Sequence, residues 1–163
     1  MNDVNINLPG LKTILHRAQD YCALQERCRY DVALKLMQWG VDKDRSAKII
    51  ELLEKANYIN ESRYAEIFAG SKFRLKKWGR NKIAYELRLK KISGEAIDQS
   101  LTTINDSDYQ KTIQLLITQK KKEIKEKDVF KMRQKIARYL VSRGFEPDLA
   151  FAALKISEMQ PDE

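Results

Sequence analysis

The chain has 163 residues and a mass of 19.1 kDa, and 43% of its side chains are hydrophobic, enough for a core, which excludes wholesale disorder. Thirty-one Lys+Arg against 23 Asp+Glu give a formal charge of +8 and a pI near 9.4, a balance that points to an anionic partner. No run approaches the roughly 18 apolar residues of a membrane span, and Met1–Pro9 lacks the basic-then-apolar order of an export signal, so a cytoplasmic chain is expected.

Apolar residues recur at intervals of three and four, with no strand-like alternation of useful length, so the fold class read from the sequence is all-α. The first helix is predicted over 11–25 and carries His16, the single histidine, and Cys22. The second, over 29–39, shows the stripe Val32, Ala33, Leu36 and Met37. Gly40 then stands where a helix ends in a left-handed residue. Asp42 supplies an N-cap for a third helix over 43–56, with Ser46, Ile49, Ile50 and Leu53 on one face.

A fourth helix over 62–76 is separated at Gly79 from a fifth over 80–91. In the fifth, Ile83, Ala84 and Leu87 share the buried face, so Lys82, Arg88 and Lys91 point outward, with Arg80 near the start. Ser93 begins a sixth helix over 94–103. The seventh and eighth are predicted over 107–126 and 128–142, the latter closed by Gly144, and Glu146-Pro147-Asp148 starts a ninth over 146–158.

A slow repeat emerges when the segments ending in WGV (39–41), KKI (90–92) and RGF (143–145) are superposed. Val32, Ile83 and Ile136 coincide, as do Ala33, Ala84 and Ala137, and Leu36, Leu87 and Leu140. Beyond the turn, Ile50, Leu101 and Leu154 align. This predicts three modules of three helices each, over 1–58, 59–105 and 106–163, stacked so that each touches mainly its neighbours. The expected particle is an elongated monomer with the alanine column where two helices approach closely.

The charge is polarised along this array. Residues 1–60 hold nine basic and eight acidic side chains, whereas 72–91 holds nine cations against Glu86 alone. The candidate contacts there are Lys72, Arg74, Lys76 and Lys77, followed by Arg80, Lys82, Arg88, Lys90 and Lys91. A second stripe, Lys120 to Arg143, has ten bases against three acids and adds Lys120, Lys121, Lys122, Arg133 and Arg138. Each run is either a solvated helix face or a surface for phosphates or acidic protein. Trp78, flanked by Lys76, Lys77 and Arg80, is the aromatic expected to serve as an exposed platform for a base. Tyr21, Tyr30, Tyr64, Tyr85 and Tyr139 fall at spacings that suit a core.

Catalytic chemistry is nearly absent from the pattern. One histidine builds no relay with a second base, no Gly-rich phosphate loop occurs, and Glu51, Glu54 and Glu61 have no His or Cys beside them to complete a metal set. Cys22 and Cys28 match no metal spacing and read as unlinked, packed thiols. No cofactor, no metal and no enzyme activity are expected.

Several stretches carry a resemblance. NYINESRYAEIFAGSKF (57–73), through Tyr58, Ile59, Asn60, Glu61, Arg63, Tyr64 and Ala65, and WGRNKIAYELRLKKI (78–92), through Gly79, Ile83, Glu86, Leu87, Lys90 and Ile92, resemble the RecX family of recombination regulators. ALQERCRYDVALKLMQWGV (23–41) is similar to that family's first repeat through Leu24, Arg27, Leu34, Leu36 and Gly40, and Ile136, Leu140, Arg143, Gly144 and Phe145 follow the third. Lys91 departs from the pattern, because the family has glycine after Lys90. The resemblance implies a curved array of three-helix modules and a non-enzymatic bacterial protein that lies in the groove of the RecA filament on single-stranded DNA. It further implies that the protein limits ATP hydrolysis, strand exchange and filament growth. The alternative from the residues alone is a free-standing nucleic-acid-binding protein with 80–91 as a groove-reading helix, although Asn81 and Arg88 are few base readers.

Overall fold

The structure, a computed structural model, describes residues 10–159; the Met1–Pro9 segment read for an export signal lies outside them. The described residues form α1 (Leu11–Leu24), α2 (Arg29–Gln38), α3 (Lys43–Lys55), α4 (Glu61–Lys76), α5 (Arg80–Leu89), α6 (Gly94–Thr102), α7 (Asp106–Glu123), α8 (Val129–Ser142) and α9 (Pro147–Met159). Among them there is no strand, and no helix is long and apolar enough to cross a membrane.

The helix starts follow the sequence chemistry. Side-chain oxygens of Asp42, Asn60, Ser93, Asn105 and Asp128 accept the backbone N–H three residues on, satisfying donors that the first turn leaves without a partner. Gly40 and Gly144 close α2 and α8 at φ 74° and 94°. α5 ends on Lys91 at φ 57°, the same left-handed turn without a glycine. α7 stops at Glu123, three residues earlier than its periodicity suggests, as Ile124 turns extended at ψ 119°.

Helices α1–α3, α4–α6 and α7–α9 each pack together as a bundle, and the bundles follow one another in a row. The two leucine-and-isoleucine columns lie at the bundle centres: Val32, Ile83 and Ile136, and Leu36, Leu87 and Leu140, are at most 1% exposed. Each such side chain contributes roughly 1.5–3 kcal/mol by leaving water. The alanine column holds only in part. Ala84 and Ala137 are buried, but Ala33 is exposed, because α2 turns that position towards the surface beside Lys90 and Lys91 rather than onto a helix. Met37 and Tyr85 are likewise exposed, on outer faces of α2 and α5, and are not core residues.

The cores are joined unequally. The first module has its own cluster around Leu11, Leu36, Ile49 and Leu53, whereas those of the second and third are continuous. Phe73, Tyr109 and Phe145 bridge that second boundary, with ring centroids 5.7 and 5.2 Å apart. Cys28, at the start of α2, packs into the second module's core, and both Cys22 and Cys28 are free, buried thiols.

Candidate functional site

The basic residues singled out by sequence divide into three structural settings. The first is the boundary between the second and third modules. Arg80 does not stand outward. Its guanidinium meets Asp106 at 2.7 Å and Glu146 at 3.5 Å, and lies 3.9 Å from the centre of the Tyr109 ring. The Tyr109 hydroxyl accepts from the Arg80 backbone N–H at 3.0 Å and donates to Glu146 Oε1 at 2.7 Å. Burial first, then the neighbouring Glu146, hold the Tyr109 phenol far above its ordinary range, against the opposing Arg80 N–H, so it stays a donor. The main chains touch here too. Gly79 N–H donates to Arg143 O at 2.8 Å and Asn81 N–H to Gly144 O at 2.9 Å. The Arg143 side chain donates to Lys76 O.

The second setting is the boundary between the first and second modules, built from ion pairs. Lys90 meets Asp31 at 2.5 Å, Arg63 meets Glu26 at 2.8 Å, and the Arg29 backbone N–H donates to Glu61 Oε1 at 3.2 Å. Lys90, a candidate contact in the sequence reading, is here an ionic link between modules. Burial pulls its pKa down, but hydrogen bonds to Asp31 and Tyr64 outweigh this and hold its ammonium above the usual range. Burial, then the Asp31 charge, push the Tyr64 phenol up to about 12. Burial also lifts the Cys28 thiol to about 11, so it is unreactive at neutral pH.

Beside this boundary lies an open cleft of about 510 Å³ between the α1–α2 turn and the outer faces of α4 and α5. Trp78 is one wall of it. Rather than the exposed platform expected from sequence, its ring is half-buried, edge-on to Phe68 at 6.5 Å, with the ammonium groups of Lys72 and Lys82 at 5.1 and 4.6 Å from its centre. The turn after Lys77, which takes φ 54°, folds the indole back against α4 instead of releasing it to solvent.

The third setting is the solvent-facing surface. Arg74, Lys76, Arg88, Lys91, Lys122 and Arg138 are exposed, and none has a carboxylate partner among the described residues. Lys77 is half-buried, its ammonium on the Arg74 carbonyl at 2.8 Å. The others of the second stripe are engaged: Lys120 with Glu123 at 2.7 Å and over the Tyr139 ring, Lys121 with Ser157, and Arg133 with Glu158 at 3.0 Å. Among the described residues no cluster of His, Cys, Asp and Glu could hold a metal ion.

Sequence reasoning missed Arg27, Phe68 and Tyr109. Phe68 sits on α4 at ordinary amphipathic spacing, and nothing local marks Tyr109 as a junction residue. Arg27 was legible only as part of a repeat, yet its Nε is shielded from solvent with no acceptor, its guanidinium lying over the Tyr21 ring.

Comparison with known proteins agrees with this architecture. Residues 60–101 match the model described as the second three-helix domain of RecX, and 107–154 match that of the third. The regulatory protein RecX of Clostridium perfringens (strain 13 / Type A) is 36% identical over 117 residues, covering 70% of this chain and 54% of that protein. That of Clostridium beijerinckii is 36% identical over 125 residues, covering 75% and 56%. The chain thus spans about half the length of these curated relatives. The crystal structure of RecX from Lactobacillus salivarius has the same fold, with a TM-score of 0.83 over 92% of this chain and 97% of that one at 21% identity. With two successive modules matching that family's own models, the chain belongs to the RecX family.

Proposed function

We propose that this chain is a regulator that binds the filament of RecA recombinase on single-stranded DNA and restrains its ATP hydrolysis, strand exchange and growth, acting as a cytoplasmic monomer without catalysis of its own. Family membership supplies the recombinase. The observation in this molecule that carries the reading is the set of exposed cations without carboxylate partners among the described residues, Arg74, Lys76, Arg88, Lys91, Lys122 and Arg138, spread over two successive modules in a row. A row of modules suits a helical groove, and cations suit a filament loaded with DNA.

The competing reading, a free-standing DNA reader with α5 in a groove, meets a geometric obstacle. The first turn of α5 is covered by the third module, since Gly79 and Asn81 bond to its main chain and Arg80 to its carboxylates. A recognition helix reads bases with that end. The test is ATP hydrolysis by RecA on single-stranded DNA with the protein added well below one per RecA subunit. Inhibition is expected, weakened by R88E/K91E at unchanged helix content. No effect on RecA, together with tight binding to DNA alone, would replace this reading by the free-standing one.

A further inference from the structure

We infer that the cleft between the first and second modules is a binding site for one nucleotide unit of a single strand, its base against Trp78 and Phe68 and its phosphate on Arg27 and Lys72. This goes beyond the regulatory reading and stands without it, because it concerns the free strand and this chain alone.

The volume, about 510 Å³, falls within the roughly 300–1,000 Å³ of small-ligand sites. Its charges sort cleanly. Asp31 is neutralised by Lys90 and Glu26 by Arg63. Left over among the described residues are two cations, Arg27 and Lys72, and one carboxylate, Glu86. The Arg27 guanidinium lies over the Tyr21 ring with its Nε shielded from solvent, so its terminal nitrogens are the donors left for a ligand oxygen. A guanidinium is the side chain best shaped to take a phosphate.

Lys72 makes no ion pair among the described residues and rests on aromatic rings, 5.2 Å from the centre of Phe68 and 5.1 Å from that of Trp78. A cation on a ring face holds less strongly than a stacked base. An arriving base therefore displaces the ammonium from the indole and leaves it free to meet the phosphate. The two rings reward a flat, polarisable ligand, which an acidic peptide is not. Glu86 adds an acceptor in the cleft for the amino group of cytosine.

The experiment uses the full chain carrying W39F, which leaves Trp78 as its single tryptophan, titrated with a short oligodeoxycytidylate and no recombinase. A saturable change in Trp78 emission is expected. An abasic strand of the same length, which keeps the phosphates, binds about tenfold more weakly and leaves the emission unchanged. R27Q and K72Q each weaken the oligonucleotide about fivefold, with circular dichroism unchanged. W78F in the wild-type background is the converse control: it keeps a ring to pack on Phe68, and the emission response disappears. Unaltered Trp78 emission at saturating strand, or equal affinity for the abasic strand, overturns the proposal. An equal response to polyglutamate also overturns it, in favour of an acidic protein partner.

Discussion

Replacing Gly79 by alanine tests whether the second and third modules are locked main chain to main chain. At Gly79 a Cβ would overlap the carbonyl of Gly144 and the N–H of Phe145. Both are backbone atoms, so nothing can swing aside and the modules must separate. Separation breaks Gly79 N–H to Arg143 O (2.8 Å) and Asn81 N–H to Gly144 O (2.9 Å), and loosens the fully buried Phe145. Each hydrogen bond is worth about 1 kcal/mol net, and a buried group left unsatisfied costs about 1–3 kcal/mol. The sum is about 3–5 kcal/mol, a large share of a domain's usual stability.

Urea unfolding followed by circular dichroism should show that loss, and the transition should broaden as the modules uncouple. G70A is the matched control. It makes the same chemical change inside α4, where the new methyl meets only the movable end of Arg74, so a gain of about 0.5–1 kcal/mol is expected. If G79A unfolds within about 0.5 kcal/mol of the wild type, the close approach is not a constraint and the locked-junction reasoning fails.

Three further outcomes follow from the same geometry. K91G should stabilise by about 1 kcal/mol in urea, because Lys91 holds φ 57° where glycine has no penalty. A84L should overpack the second module and cost about 1–3 kcal/mol, while A33L, on an exposed position, should stay within about 0.5 kcal/mol by the same measurement. D31N should cost about 1–2 kcal/mol at pH 7, since it leaves Lys90 without its partner in a partly buried site. With a folded pKa above the unfolded one, the stabilisation by Lys90 is full below about pH 10.5 and is lost as pH rises further. The gap between D31N and wild type should therefore close as the Lys90 ammonium loses its proton on the alkaline side.

The helices were legible because their determinants are local. Caps such as Asp42 and Ser93 reach three residues, the stripe Val32–Leu36 repeats in α5 and α8, and Gly40 and Gly144 mark ends by their own backbone needs. The fate of the cations was not, because their partners are distant in sequence. Arg80 finds Asp106 and Glu146, 26 and 66 residues away, and Lys90 finds Asp31 at a separation of 59. Helical periodicity places a lysine on an outer face but does not say which neighbouring module covers that face. The same gap explains Ala33 and Trp78: one repeat position is solvent-facing in the terminal module, and an indole beside a break folds inward.

The two boundaries differ in kind, and the difference bears on how firmly each is held. Between the second and third modules, main-chain hydrogen bonds, a shared core and a satisfied Tyr109–Arg80–Glu146 network act together, and none of the first two is weakened much by salt. Between the first and second, separate clusters are tied mainly by Lys90–Asp31, Arg63–Glu26 and the Arg29 contact to Glu61, apart from Cys28. Partly exposed ion pairs weaken as ions screen them. The cleft holding Arg27 and Trp78 lies at this ionic boundary, with Arg27 contributed by the first module and Trp78 by the second. Any occupant that touches both must therefore favour the arrangement in which they meet, by its own binding free energy.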